Sequence, residues 1–409
     1  MGRGIVTWPF VALLLIQAAA SAQEVENRFQ LAGTIDITSS LAGDASRFTT
    51  NELPPNYRDP HILLHEFNLS LFVPFDDEFS LEARMRIDAR NDGYPGQPTL
   101  PIYAVNWFPV DFRGSFSLGR FPTPFGVHPE RQLQRDRTFI AQPLAWGYFV
   151  PLSENHGYRP GITNSRDGYR TRDLGTTPLG FEALSTGLRY DWWNRYGKRF
   201  AFAVTNTAPS SPDGMIDQLS VAVAGHYSNQ PEEWLRYGVS GAYGSFMEQD
   251  LTINPVLRDT EQYYQFALGA DWRIQHGRIT LAGELVGSRW FLPRFQGTGF
   301  FSADGDPANP TPVKPTLLGG YTDLRIDLPT LTPIYLAGRF DTLQFLKMDD
   351  PVFGEKVDWM LDVIRWSVAF GLDLSHGLST NLNVSDQFLR DDPAPGDDWT
   401  VRLMLTAEF

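Results

Sequence analysis

The C-terminal stretch Trp399-Thr-Val-Arg-Leu-Met-Leu-Thr-Ala-Glu-Phe409 alternates with a period of two. Trp399, Val401, Leu403, Leu405, Ala407 and Phe409 share one face of an extended chain; Thr400, Arg402, Met404, Thr406 and Glu408 share the other. Aromatics stand at both ends of the apolar face, about eleven residues apart, roughly the length a tilted strand needs to cross a bilayer. A soluble sandwich strand alternates too, but nothing in its packing asks for an aromatic at each end. The stretch reads as a transmembrane strand with its apolar face in lipid and its rings in the two interfaces.

The same alternation recurs upstream. From Phe79, FSLEARMRIDAR sets Phe79, Leu81, Ala83, Met85 and Ile87 against Glu82, Arg84, Arg86 and Asp88. Sixteen such segments are expected near 30–41, 61–75, 78–90, 101–110, 113–121, 180–193, 197–206, 214–229, 232–247, 262–276, 277–291, 317–329, 331–346, 360–376, 377–390 and 398–409. The fourth and sixth keep the least regular phase, and counts of fourteen or eighteen also fit the pattern. Links after even segments are short, such as FDDEF, VDF, YGK, QHG and SHG, while those after odd segments are longer or more polar. Bacterial barrels have short periplasmic turns and long external loops, so this parity argues for one all-β, closed, antiparallel transmembrane barrel.

Composition agrees. The chain has no cysteine, 13% aromatic residues and 20% charged residues, which suits apolar positions interleaved with polar ones. A net charge of -14 leaves no basic footprint for nucleic acid. The opening MGRGIVTWPFVALLLIQAAASAQ reads as a secretory signal, residues 1–22, cleaved after Ala22, with 23–409 forming the barrel. His61 and His65 lack a companion carboxylate or thiol for a metal site, and no nucleophile elbow, phosphate loop or dinucleotide fingerprint occurs. No enzyme, cofactor or metal is expected.

A barrel of this strand count encloses water. Strand phase puts Arg84, Arg86, Arg236, Arg273, Arg325, Arg339, Arg365 and Arg402 inside, with Asp323, Asp327 and Asp341 among the acids, as expected pore-lining residues. Opposite charges of this kind are favourable cross-strand partners. The fifth segment ends in GRFPTPFG, where Pro122 and Pro124 cannot donate to a ladder and Gly126 follows as a hinge. Pairing is expected to stop near Phe121 and to release the third external loop, 122–179. That loop carries Arg131, Arg135, Arg137, Arg159, Arg166, Arg170 and Arg172 against Glu130, Asp136, Glu154, Asp167 and Asp173, whereas the other external links are acidic. A mildly basic loop inside an acidic rim is expected to fold inward, its arginines facing luminal acids.

The segment from Gly119, GRFPTPFGVHPERQLQRDRTFIAQPLAWGY, resembles the G-[RKQ]-F-x-x-P-F-G region of Gram-negative outer-membrane porin-like proteins, akin to the phosphate-selective porin group. The resemblance implies an outer-membrane location and a third loop that constricts a pore passing small hydrophilic solutes or ions by passive diffusion. It also implies a homotrimer among outer-membrane lipid and lipopolysaccharide. Arg131, Arg135 and Arg137, with Glu130 and Asp136, are the expected loop side of the constriction. A non-conducting barrel whose external loops bind a partner or surface ligand is the alternative.

Overall fold

The computed structural model of the chain describes residues 29–43, 61–88, 96–110, 112–131, 133, 136–160, 175–180, 183–206, 208–210, 221–247, 260–296, 299–306, 308–330, 332–375, 377–390 and 398–409. The expected signal segment 1–22 and Arg135 lie outside these residues.

Sixteen long strands close on themselves. They are β1 (Gln30–Ala42), β2 (His61–Pro74), β3 (Phe79–Asp88), β4 (Thr99–Trp107), β5 (Gly114–Pro122), β6 (Leu184–Trp193), β7 (Lys198–Thr205) and β8 (Ala222–Glu232). The second half comprises β9 (Leu235–Ser245), β10 (Tyr264–His276), β11 (Ile279–Pro293), β12 (Thr316–Leu328), β13 (Ile334–Leu346), β14 (Val363–Ser375), β15 (Leu378–Leu389) and β16 (Trp399–Glu408). Each pairs antiparallel with the next, and β16 returns to β1 from Ala42↔Thr400 to Thr34↔Glu408. Closure leaves no row of unpaired amides, which lipid would not tolerate.

Alternation decides which face meets lipid. On β16, Trp399, Leu403, Leu405 and Phe409 are exposed outward, whereas Thr400, Arg402, Met404 and Thr406 are buried inward. Outward rings form two girdles. At the short-turn end, Trp107 stacks between Phe79 and Phe116, with centroids 6.1 and 5.5 Å away. At the opposite end, Tyr264 lies between Tyr243 and Phe291 at 5.1 and 5.5 Å. Two aromatic belts around an apolar band mark a barrel that spans a membrane.

Local chemistry sets the turns. The Asp76 carboxylate accepts from the Glu78 and Phe79 amides at 2.8 and 2.7 Å, and Gly197, Gly277 and Gly377 supply positive φ after even strands. Several boundaries differ from expectation by a few residues, and three of them are informative. β4 ends at Trp107 because Pro109 cannot extend the ladder and instead caps a turn to the Phe112 amide. β8 starts at Ala222; residues 211–220, which cover most of its expected beginning, are outside the described residues. The β5–β6 ladder outlasts Phe121: Pro122 faces Leu184, and the Thr123 amide donates to Ala183 O at 2.9 Å. Proline is tolerated at that last rung because its carbonyl alone is used, accepting from Arg189 Nη1 at 2.9 Å.

The wall is uneven. Strands β3 to β7 have 8–10 residues. Strands β10 to β14 have 13–15. The long loop lies inside the barrel against the taller side.

Candidate functional site: a charged cavity between the long loop and the short wall

The loop turns inward at Gly126, whose φ of 65° suits glycine. A Cβ there would lie 2.5 Å from Glu284 Oε1, so the backbone approaches the wall closer than any side chain allows. Its amide donates to Ser240 Oγ on β9 at 2.8 Å. Glu284, inward on β11 and buried, accepts three bonds from the loop: the Val127 amide, the His128 amide at 3.0 Å and Trp146 Nε1 at 2.9 Å. A buried carboxylate is tolerated only when its lone pairs are satisfied in this way.

Farther along, two guanidiniums do the reverse and donate to loop carbonyls. Arg339 on β13 grips Asp323 at 2.6 and 2.8 Å and donates to Ala141 O at 3.0 Å. Arg365 on β14 binds Asp341 at 2.8 Å and donates to Gln142 O. Asp341 in turn accepts the Leu144 amide at 3.3 Å, Asn383 accepts the Ile140 amide at 3.0 Å, and Tyr335 and Asn381 donate to Thr138 O. Apolar packing completes the contact. Phe125, Leu144, Trp146, Val150 and Leu152 of the loop form one core with inward Ala242, Ala267, Val286, Trp290, Leu317, Leu343 and Val363. Full burial of each large side chain contributes about 1.5–3 kcal/mol, so the apolar core outweighs any single polar contact in holding the loop.

His128 stacks on Trp146, ring centroids 5.2 Å apart. Burial pushes its imidazole well below the ordinary histidine range, and the fields of Arg137, Arg339 and Arg131 push it the same way. It is held neutral.

Against the short wall there is open space. A cavity of ≈ 450 Å³ separates the loop from β2 to β7. Glu130, Leu133 and Asp136 form its loop side; Glu82, Arg84, Arg189, Asp191 and Arg199 form its wall side. Glu130 lies 3.8 Å from Arg199 and 3.6 Å from Arg236. Arg189 is held by Asp191 through two 2.6 Å bonds, whereas Arg84 hydrogen-bonds only the Ser70 hydroxyl, at 3.3 Å, among the described residues.

The sequence-predicted residues therefore separate into groups. Arg84, Arg236, Arg273, Arg325 and Asp327 face inward and keep contact with solvent. Arg339, Arg365, Asp323 and Asp341 face inward but are sealed beneath the loop, a correction to their expected pore-lining place. The reason is coverage: once a loop lies on them, buried guanidiniums must pair with carboxylates and carbonyls. Arg86 and Arg402 are also buried, Arg86 beside Asp88 at 3.0 Å. The expected polarity changes as well. It is the loop carboxylate Glu130 that meets wall arginines, while Arg137 Nε donates to Arg131 O at 2.8 Å and both lie in the field around His128. Sequence reading missed Arg199 and Trp146. Inward strand phase places Glu284 inside the barrel but does not reveal that it latches the loop through a partner 157 positions away.

The molecule is a transmembrane β-barrel of porin architecture, and its closed wall and apolar belt place it in the outer membrane of a Gram-negative bacterium. No family model and no curated protein matches the sequence. Solved structures match the fold. The Vibrio cholerae outer-membrane protein OmpT with loop L8 deleted aligns at TM-score 0.56 and 8% identity over 93% of this chain and 99% of that one. OmpT of Vibrio cholerae in its trimer form gives TM-score 0.55, 8% identity and the same coverage. An anion-selective porin from Comamonas acidovorans gives TM-score 0.52 and 9% identity over 93% of this chain and 99% of that one.

Proposed function

We propose that the chain is a porin through which small hydrophilic solutes and ions diffuse passively, with no chemical step. The cavity between the inserted loop and the short wall carries this reading. Its volume limits solute size, and its charges are segregated. Glu130 and Asp136 stand on the loop, and Arg84, Arg189 and Arg199 stand across from them beside Glu82 and Asp191. Opposed charges across a narrow, low-dielectric passage create a transverse field that orients dipolar solutes and selects ions. Loop residues Glu130, Arg131, Asp136 and Arg137, hinged at Pro122, Pro124 and Gly126, are the constriction in this proposal.

Anions belong among the solutes. Arg236 and Arg273 are direct cross-strand partners, and Arg273 bonds only Gln275, at 3.0 Å, among the described residues. The likeness of the segment from Gly119 to the phosphate-selective group, and the anion-selective porin among similar folds, support the same inclusion. A homotrimer is part of the reading, supported by the trimer form of a similar barrel.

Planar-bilayer recording tests the proposal. The purified barrel is expected to form steady, ohmic channels, and Glu130→Gln with Asp136→Asn is expected to move the reversal potential toward anion selectivity. Absence of conductance, or an unchanged reversal potential in the double variant, overturns it.

A further inference from the structure

Three large rings on the short wall border the cavity and stay uncovered. Phe72, Phe108 and Trp193 line it, and they keep 36%, 39% and 39% of their surface open. Burying a large apolar side chain contributes about 1.5–3 kcal/mol, and packing between the inserted loop and the tall wall gains this for Phe125 and Trp146. The loop leaves the other three open. Outward rings are ordinary in a barrel that sits in lipid, but open rings on the water-filled side need a different partner.

Two of these rings have a charge directly across the ladder. Phe72 on β2 faces Glu82 on β3, and Trp193 on β6 faces Arg199 on β7. Direct cross-strand neighbours stand about 4.5–5.5 Å apart at Cβ, so one ligand can meet a ring and a charge together. Polar capacity is also left over. Glu82 makes no hydrogen bond among the described residues, and Arg84, on the same face of β3, bonds only Ser70 Oγ at 3.3 Å. Asn106 accepts from Ser117 Oγ at 2.6 Å, while its amide nitrogen donates to no described group.

The charges nearly balance. Three guanidiniums and four carboxylates line the cavity. An ion of either sign is attracted by one set and repelled by the other. An uncharged ligand rich in hydroxyls gains from both, since a hydroxyl donates to a carboxylate and accepts from a guanidinium. The rings add a second requirement, an apolar face whose C–H groups are drawn to the negative face of an aromatic ring. A pyranose ring meets both, with hydroxyls around its edge and C–H groups on its faces. At ≈ 450 Å³ the cavity lies within the range of about 300–1,000 Å³ that ligand pockets occupy.

We propose that the short wall carries a sugar-binding site. Phe72, Phe108 and Trp193 take the C–H faces of a neutral mono- or disaccharide, and Glu82, Arg84 and Asn106 take its hydroxyls. The site rests on the porin reading and deepens it: sugars pass this cavity by saturable binding as well as by size.

Titration of cellobiose into the solution bathing a planar bilayer tests the site, read as the fall in single-channel ion current. The current is expected to fall along a saturating curve. Its half-saturating concentration is expected to rise about tenfold in Phe72→Ala with Trp193→Ala, the loss of two stacking faces. Phe72→Tyr with Trp193→Tyr keeps both faces and is expected to restore the parent curve. Heat-modifiable gel migration confirms that each variant is folded. A fall in current that never saturates, or equal half-saturation in the parent and the alanine variant, overturns the site. Displacement of cellobiose by a lower concentration of glycine betaine would make the cavity a site for zwitterions and overturns it too. Calorimetric titration of cellobiose into the detergent-purified barrel separates the two readings. Binding heat in a barrel that forms no channels overturns the porin reading and leaves the site standing, whereas channels without saturable cellobiose binding overturn the site alone.

Discussion

The two sides of the barrel obey the same alternation and do opposite things with it. On β10 to β14 the inward residues include Ala267, Val286, Trp290, Leu317, Leu343 and Val363, and the loop packs against them so that all six are buried. On β3 to β7 the inward residues include Glu82, Arg84, Asn106, Ser115, Ser117, Arg189, Asp191 and Arg199, and a cavity remains. One wall is a core and the other borders a cavity. A loop of mixed composition goes where its Trp146 and Phe125 can be buried, because desolvating the charged wall would cost more than the apolar contacts return.

Matched carboxylates give the sharpest way to break that contrast. Glu284→Ala on the tall wall leaves two amides and an indole N–H unpaired, so docking of the loop is expected to weaken by at least about 3 kcal/mol. Glu82→Ala on the short wall removes a cavity-facing carboxylate that makes no hydrogen bond among the described residues, and is expected to change stability by no more than about 0.5 kcal/mol. Protease cleavage within 122–179, with the barrel still folded, measures the difference; equal cleavage in the two variants would show that Glu284 is not the latch.

Glycines supply a second pair. Gly119 on β5 has φ 137°, and a Cβ there would lie 2.1 Å from Tyr103 O. Gly119→Ala is expected to cost about 1–3 kcal/mol. Gly338→Ala on β13, where a Cβ meets nothing within 4 Å, is expected to be neutral or stabilising by under about 1 kcal/mol. Urea unfolding midpoints compare them, and equal midpoints would remove strain as a property of the short wall.

The smallest effect is protonic. His128 is neutral and depressed in the folded loop but ordinary when released, so the released form binds more protons below the usual value near 6.5. Loop docking is therefore fully stable above that pH and loses up to about 1.4 kcal/mol per unit as pH falls toward the folded value. Cleavage of the loop is expected to rise below pH 6.5 and to flatten in His128→Asn. The charged groups that face His128, namely buried Glu284 and Arg339 on the wall with half-buried Arg131 and Arg137 on the loop, are unchanged in that variant. An undiminished pH slope in it would assign the effect elsewhere.

Much of this was legible in the residues. Trp399 to Phe409 and its fifteen counterparts carry their own lipid-facing phase, and the parity of link lengths orients the wall, because a strand's two faces meet different solvents residue by residue. The identity of the long loop was legible too, from the prolines after Phe121, whereas its inward course was expected from arginines facing luminal acids, a polarity that the Glu130 pairs with Arg199 and Arg236 change. The partners inside were not. Arg339 and Arg84 have the same phase and the same chemistry, yet one is sealed against Asp323 and Ala141 while the other looks into the cavity.

Sequence by itself determined the closed sheet, its two faces and its thin aromatic belts, since lipid requires every backbone group to be paired within the wall and favours apolar side chains on the outward face. Tertiary structure alone decided which inward charges meet water. That choice depends on contacts such as Val127 with Glu284 and Ile140 with Asn383, 157 and 243 positions apart, formed once the barrel has closed around the loop.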